Sequence, residues 1–522
     1  MYDVIVIGSG FGGAVSACRL AEKGMKVLVL ERGRRWEAST YPRDIGDPWI
    51  YNHRHPEHEN GWLDLRIYEH MMVAQGAGVG GGSLIYANIS VEPKREVFNQ
   101  GWPSEITYTE LKPYYDRVGK MLNLQTLPDG QLAERTRLMK DGAAALGYGD
   151  RFRMLPLAVT FDPAWNYQLE DPRNDKHSKA WTNDQGVQQG TCVHCGNCCI
   201  GCQVKAKNTL DLNYLAWAEK KGAEIRPLHL VRFINQENGG YSVHFDRLEN
   251  RRCTPGTESA RKVIVAAGSL GSTELLLRCR DEYRALPNIS QFLGHNWSSN
   301  GDFLTPAFYA KREISPTYGP TITSAIDFLD GSVGNQQFFI EDGGVPDVFG
   351  DFLQSRLKST PRNPVGAIII DALRKIVRER DPLGNVMPWF AQGIDAGDGR
   401  LRLGRLWYMP WRRTLKLQWD VSRSVGVIDS IVNMHERLAK ATGGSALVPP
   451  TWRPLKNLVT PHPLGGCNMG RTDADGVVNH KGEVFGYPNL YVADGAIVPE
   501  ALGLNPSRTI AALAERIIAH MA

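Results

Sequence analysis

The chain contains no run of about eighteen apolar residues, so no membrane span is expected. It has no arginine–lysine block interleaved with aromatics, and its formal net charge is only +4 over 522 residues. Nucleic acid is therefore not an expected partner. Internal repeats and low-complexity tracts are absent. The opening MYDVIVIGSG carries no basic leader and no cleavage site, which gives the expectation of a cytoplasmic protein. Nine cysteines in such a protein do not read as a disulfide framework. With 42% hydrophobic and 22% charged residues, the composition is globular. The length exceeds one ordinary domain.

What is present begins at once. Tyr2–Ile7 is a run suited to a parallel strand covered on both faces, residues 14–23 read as a helix ended by Gly24, and 25–30 read as a second buried strand. Between strand and helix lies Gly8-Ser9-Gly10-Phe11-Gly12-Gly13. Gly8 makes the tight turn, Gly10 admits a pyrophosphate to the backbone, and Gly13 lets helix and strand pack closely. Glu31 ends the second strand, where a carboxylate accepts ribose hydroxyls. A glycine-rich structural turn would explain the loop but not Glu31. A second, nearly side-chain-free loop follows at Gly76-Ala77-Gly78-Val79-Gly80-Gly81-Gly82-Ser83, running straight into Leu84-Ile85-Tyr86. A dinucleotide touching two separated glycine loops fits FAD, whose flavin end needs its own cradle.

Further on, 109–146 reads as helical and polar, and 211–221 as a helix. KVIVAAG at 262–268 reads as another buried strand, leading to a helix at 272–278. From about 300 to 455 the glycine motifs vanish. Strand-like runs at 337–341 and 414–420 then alternate with Trp-rich segments, beside one helix at 424–442. After 456 the first kind of sequence returns, with a short strand at 490–494 and a closing helix at 506–522.

Thr460-Pro461-His462-Pro463-Leu464-Gly465-Gly466-Cys467 sets one histidine between two prolines. Such a backbone holds a side chain in one geometry, and imidazole is suited to taking a hydroxyl proton near neutral pH. Asn505 stands immediately before Pro506, where helix capping is a strong alternative to chemistry.

The dinucleotide motif, GVGGGS, HPLGGC…MG, NLYVADG and LNPSRTIAALAER, in this order, resemble the glucose-methanol-choline (GMC) oxidoreductases. HPLGGC and the C-terminal ending are most similar to the bacterial cholesterol oxidase branch. The likeness is weak between about 300 and 455. It implies a catalytic pair, His462 and Asn505, with the alcohol proton leaving toward His462 while hydride passes to flavin N5. It also implies Asp494-Gly495 near the ribityl and pyrophosphate, and Val231 on the adenine. The expected FAD-binding residues are Gly8, Gly10, Phe11, Gly12, Gly13, Glu31, Gly78, Gly81, Gly82, Ser83, Tyr86, Asn88, Val231, Ala267, Gly268, Asp494, Gly495, Asn505 and Pro506. Cholesterol oxidases also carry a glutamate that moves the steroid double bond. The stretch 385–395, where it would align, contains none, which puts isomerase activity and cholesterol itself in doubt.

Five cysteines fall between 192 and 202. Cys192-x-x-Cys195-x-x-Cys198-x-x-x-Cys202 reproduces a ferredoxin spacing, with Gln203 in place of the usual proline. An iron–sulfur cluster on these four residues is one expectation, and some sugar-oxidising relatives in the family carry one. Zinc and reduced structural thiols are the alternatives.

The expected fold is α/β: a Rossmann-type FAD-binding domain, discontinuous in sequence, with an α+β substrate domain on an antiparallel sheet. The FAD domain would take 1–108, 186–300 and 456–522. A cap segment would take 109–185 and the substrate domain 301–455. The expected activity is oxidation of a secondary, bulky, apolar (sterol-like) alcohol to a ketone. Trp389, Trp407, Trp411 and Trp419 would supply aromatic surface for it, core packing being their commoner use. The electron acceptor would be oxygen, a carrier protein or a quinone. Alternatives are a sugar or polyol dehydrogenase passing electrons through the cysteines, and a non-redox flavin lyase. Peripheral membrane attachment is the alternative location if the alcohol is a sterol.

Overall fold

In the computed structural model, residues 1–358, 383–406, 409–449, 452–453 and 456–521 are described. Tyr2–Ile7 lies inside a seven-stranded sheet, between Val27–Leu30 and Arg252–Val265 and parallel to both. Glu224–Arg226 extends the sheet parallel on one side, and Leu490–Val492 pairs parallel with the end of Arg252–Val265. Val4, Ile5 and Val6 are fully buried, as a parallel strand covered on both faces requires. Helix Phe11–Glu22 packs on helix Ser507–His520, tied by Arg19 Nε donating to both Glu515 carboxylate oxygens at 2.9 Å. The two ends of the chain thus build one domain.

Arg252–Val265 is far longer than the apolar run at 262–268. Its first half pairs antiparallel with Gly240–Glu249, which pairs in turn with His229–Glu237. That half is mostly exposed and polar, so its strand character comes from pairing rather than from an apolar pattern.

The second sheet is antiparallel throughout. Its order is Ser445–Ala446, Phe303–Phe308, Val386–Gly393, Phe338–Asp342, Ser324–Asp327 and Phe152–Met154. The last strand comes from the 109–185 segment, which therefore contributes to this sheet. Helices Glu134–Ala145 and Val425–Ala441 pack on the sheet and on each other. A small sheet of Leu63–Ile67, Met71–Gly76 and Leu458–Thr460 leads the chain to His462. Among the described residues no helix is long and apolar enough to cross a membrane.

Candidate active site

One cavity of about 1140 Å³ runs from the first glycine loop to the antiparallel sheet. Gly8, Gly10, Phe11, Gly12, Glu31, Gly81, Gly82, Tyr86, Val231, Ala267, Gly268, His462, Asp494, Gly495, Asn505 and Pro506 all line it. The glycines divide by what stands opposite them. A Cβ on Gly13 would lie 2.1 Å from the Gly8 carbonyl oxygen, and one on Gly12 1.5 Å from that of Ala493, so these two serve packing. A Cβ on Gly10 would meet no protein atom within 4 Å, and the space it leaves belongs to the cavity. Gly81 closes over Gly10 (a Cβ there would lie 2.7 Å from the Gly10 Cα), bringing the second glycine loop onto the first.

Glu31 is buried and accepts from Ser9 N at 3.1 Å, Ser9 Oγ at 2.6 Å and Gly33 N at 2.8 Å. Burial pushes its carboxyl up, and these donors pull it back. Asp494 accepts from Gly268 N (2.7 Å), Ser272 Oγ (2.5 Å) and Ala496 N (2.8 Å), joining the ends of two neighbouring strands. Asn88, at φ 70° and fully buried, leaves both side-chain polar atoms without a partner. Orphaned buried amide atoms are costly, and a bound polar group satisfies them. Asn88 itself does not line the cavity, although Ala87 and Ile89 beside it do; the open space at Gly10 is what fits FAD.

Three members of the expected cofactor set are used differently. Gly13 packs as described. Gly78 lies against Trp36, where a Cβ would come within 2.5 Å of the indole. Ser83 Oγ donates to the Gly80 carbonyl at 2.7 Å and accepts from Leu210 N at 3.1 Å, which fixes the loop. None of the three lines the cavity.

At the opposite end, the Thr460 hydroxyl accepts from His462 N at 2.9 Å and donates to Asp302 Oδ2 at 2.5 Å. The ring Nδ1 of His462 meets Asp302 Oδ1 at 2.9 Å and Oδ2 at 3.1 Å. With Nδ1 so engaged, Nε2 is the nitrogen left for a ligand. Asn505 sits in a loop clamped by Asn300, whose Oδ1 accepts from Leu502 N and Gly503 N and whose Nδ2 donates to the Leu504 carbonyl. The capping alternative for Asn505 fails: helix Ser507–His520 has no side-chain cap, and Asn505 Oδ1 is buried without a partner. Phe390 and Leu304 line the cavity and lie opposite one another in adjacent strands.

The sequence motifs miss Asp302, Asn300 and Glu341. Asn300-Gly301-Asp302 reads as a turn at a domain boundary. Glu341 is fully buried in Phe338–Asp342, opposite Phe390, and accepts from Gln392 Nε2 at 2.9 Å. Stretch 385–395 has no glutamate, but the strand paired with it carries this buried one, on the face it shares with Phe390.

The tryptophan expectation is corrected. Trp389 is wholly buried in the core and Trp419 packs edge-on to Trp297; neither lines this cavity. Trp407 and the Trp411 side chain lie outside the described residues.

The four cysteines of the expected metal site, Cys192, Cys195, Cys198 and Cys202, lie near enough for the charge of one to act on another. Among the described residues no three or more His, Cys, Asp or Glu side chains are placed to hold a metal ion. The loop is held instead through its backbone: Lys207 Nζ donates to the Cys198 carbonyl at 2.7 Å, and Arg43 to those of Ile200 and Gly201. Gly196 and Gly201 are spent on packing against Thr317 and Tyr41 rather than on wrapping a cluster. Burial pushes the Cys195 thiol up to about 12, with Cys202 and Cys198 adding to the rise. Cys199, which interrupts the pattern, is the one of the five that lines the main cavity.

The GMC oxidoreductase family matches residues 175–280 and 424–514, and an NAD(P)-binding Rossmann-like domain matches 6–58. A cholesterol oxidase of Acinetobacter baumannii is 30% identical, with 100% of this chain and 94% of that protein covered. One of Mycobacterium tuberculosis is 33% identical over 99% of this chain and 90% of its own length. Formate oxidase of Aspergillus oryzae shares the fold at a TM-score of 0.66 and 13% identity, covering 99% of this chain and 97% of its own. A fungal aryl-alcohol oxidase does so at 0.62 and 15%, with 99% of both chains covered. The chain belongs to the GMC oxidoreductase family, and it is an FAD-dependent alcohol oxidoreductase.

Proposed function

We propose that the enzyme oxidises a bulky, apolar, sterol-like secondary alcohol to a ketone, with His462 taking the hydroxyl proton and Asn505 orienting the hydroxyl. The observation that carries this reading is the His462–Asp302 contact. It leaves Nε2 of a cavity-lining imidazole free to act as base, beside Asn505 and against Leu304 and Phe390. When bound, FAD supplies the hydride acceptor. The protein's own part is to hold the alcohol between His462 Nε2 and the Asn505 amide, and to exclude water with an apolar wall of Leu304, Ile322 and Phe390. Asp302 keeps a negative charge beside the imidazolium that forms when the proton arrives.

The cholesterol oxidase names of the full-length relatives support the sterol-like substrate and oxygen as the acceptor. A cytoplasmic site of action, with contact to membranes for a sterol, completes the reading.

The test is anaerobic mixing of the yellow holoenzyme with a panel of alcohols. Bulky apolar secondary alcohols should bleach the flavin fastest. Preferential bleaching by sugars would refute the substrate class, and no bleaching by any alcohol would refute the reaction.

A further inference from the structure

The Glu31 end of the cavity has a wall that comes from a distant part of the chain. Arg400–Leu406 and Met409–Gln418 pair as a two-stranded antiparallel hairpin. Arg413, Thr414, Leu415, Lys416 and Leu417 of its second strand line the same cavity as Gly10 and Glu31. All five lie outside the three matched segments, 6–58, 175–280 and 424–514.

A succession of contacts sets the hairpin at that end. His229 N donates to the Glu31 carbonyl at 2.8 Å, so strand His229–Glu237 starts beside the residue expected to meet the ribose and carries Val231 into the cavity. The helical turn Arg278–Glu282 lies on this strand: Ile234 N donates to Cys279 Sγ at 3.3 Å, and Phe233 stacks on Tyr283 with ring centres 4.4 Å apart. The hairpin is bonded in turn to that helical turn. Arg413 Nη1 donates to the Asp281 carbonyl at 2.8 Å, and Arg278 Nη2 to the Arg413 carbonyl at 3.3 Å. The base of the hairpin is pinned by Leu401 N, which donates to the Gly294 carbonyl at 2.7 Å. Gly294 leaves no room for a side chain there, since a Cβ would lie 2.0 Å from the Leu401 carbonyl oxygen.

Charge separates Arg413 and Lys416 from their neighbours. Arg66, Arg232 and Arg278 also line the cavity, and each is paired with a carboxylate, of Asp64, Asp246 and Glu274 respectively. Among the described residues Arg413 donates only to a carbonyl, and Lys416 has no ion-pair partner. Gly404 makes room for the lysine stem, because a Cβ there would lie 2.8 Å from Lys416 Cγ. The wall is thin. A second chamber of about 550 Å³, lined by His70, Arg402 and Arg405, shares Tyr68, Lys416 and Leu417 with the main cavity, so these three residues are the partition between the two spaces.

We propose that the hairpin is a strap over the nucleotide half of FAD, with Arg413 and Lys416 as cofactor-holding residues that supply positive charge to the pyrophosphate. A diphosphate brings negative charge to a wall that holds two uncompensated cations, and the strap keeps that half of the cofactor from leaving. The inference is independent of the alcohol oxidised and of His462.

The test is FAD release from the holoenzyme, followed as the rise of free-flavin fluorescence after dilution. Arg413→Ala and Lys416→Gln should each release FAD about tenfold faster, Lys416→Glu faster still, and Lys416→Arg within about twofold of the wild type. Added salt should speed release in the wild type and much less in the Arg413→Ala, Lys416→Gln double variant. Arg405→Ala, which removes a cation from the outer chamber alone, should leave release unchanged. Riboflavin lacks the pyrophosphate, so its binding to the FAD-stripped chain should be the same in Lys416→Glu as in the wild type.

Arg413 also anchors the hairpin, so Lys416→Glu, which removes no bond within the protein, reads the charge alone if Arg413→Ala does not fold. Backbone amides over 413–418 should exchange hydrogen more slowly with FAD bound than after its removal. Unchanged release in Lys416→Glu, an Arg405→Ala as fast as Lys416→Gln, equal weakening of riboflavin and FAD, or hairpin amides indifferent to FAD would each overturn the proposal.

Discussion

The nucleotide-binding loop and the alcohol end of the cavity are built on opposite plans. Gly8, Gly10, Gly12, Gly13 and Glu31 fall within two dozen residues, on one strand-turn-helix-strand unit. Asp302, Glu341, His462 and Asn505 come from four separate stretches, brought together by an antiparallel sheet and a C-terminal loop. The first region is a local device that tolerates almost no side chain. The second is an assembled device in which each group depends on another, so substitutions there should spare the fold and strike the chemistry.

The sharpest test of the local device sets two of its glycines against each other. Gly12→Val places atoms within bonding distance of the Ala493 carbonyl and should abolish the folded flavin domain, read as insoluble protein. The Cβ of Gly10→Val meets no protein atom within 4 Å, so the variant should leave circular dichroism and melting intact while the purified protein loses its yellow colour. A yellow Gly10→Val would mean that the open space is not the pyrophosphate site.

For the assembled device, His462→Ala should keep its full complement of FAD and reduce it on the order of a hundred- to ten-thousand-fold more slowly, as stopped-flow absorbance would register. Phe390→Ala comes next. Shortening the apolar wall should lower kcat/KM for bulky alcohols roughly tenfold and for small ones much less, measured across a size series. The smallest effect belongs to the cysteine loop. Cys195→Ser should keep flavin content and turnover within about twofold, in line with a loop held by its backbone.

The same contrast explains what could be read without coordinates. The Rossmann unit was legible because its constraints are local: Gly8 at φ 95°, Gly13 against the Gly8 carbonyl, Glu31 at a strand end. Helix Val425–Ala441 and strand Phe338–Asp342 were also foreseen to within a residue or so, since each carries its own periodicity. Asp302 and Glu341 were not, because a lone carboxylate in a strand or turn has no local signature and its meaning comes from what pairs beside it. The path of the cysteine loop is less legible for a related reason. Spacing fixes how far apart thiols lie along the chain, whereas Arg43, distant in sequence, holds the Ile200 and Gly201 carbonyls. The tryptophans were judged by size. Trp389 points into the core, and Phe390, the next residue along the strand, faces the cavity.

The pairing of Arg19 with Glu515 has a consequence for how the protein is made. During synthesis, helix Phe11–Glu22 emerges almost 500 residues before its partner Ser507–His520, and Tyr2–Ile7 emerges well before the strand Arg252–Val265 that flanks it. A nascent chain therefore carries an apolar, half-covered β-α-β unit until Ser507–His520 has been made. Such a unit is the kind of transiently exposed surface that recruits chaperones. Helix Ser507–His520 then acts as the latch: its arrival, rather than emergence of the glycine loop, is the event that allows the cofactor domain to close.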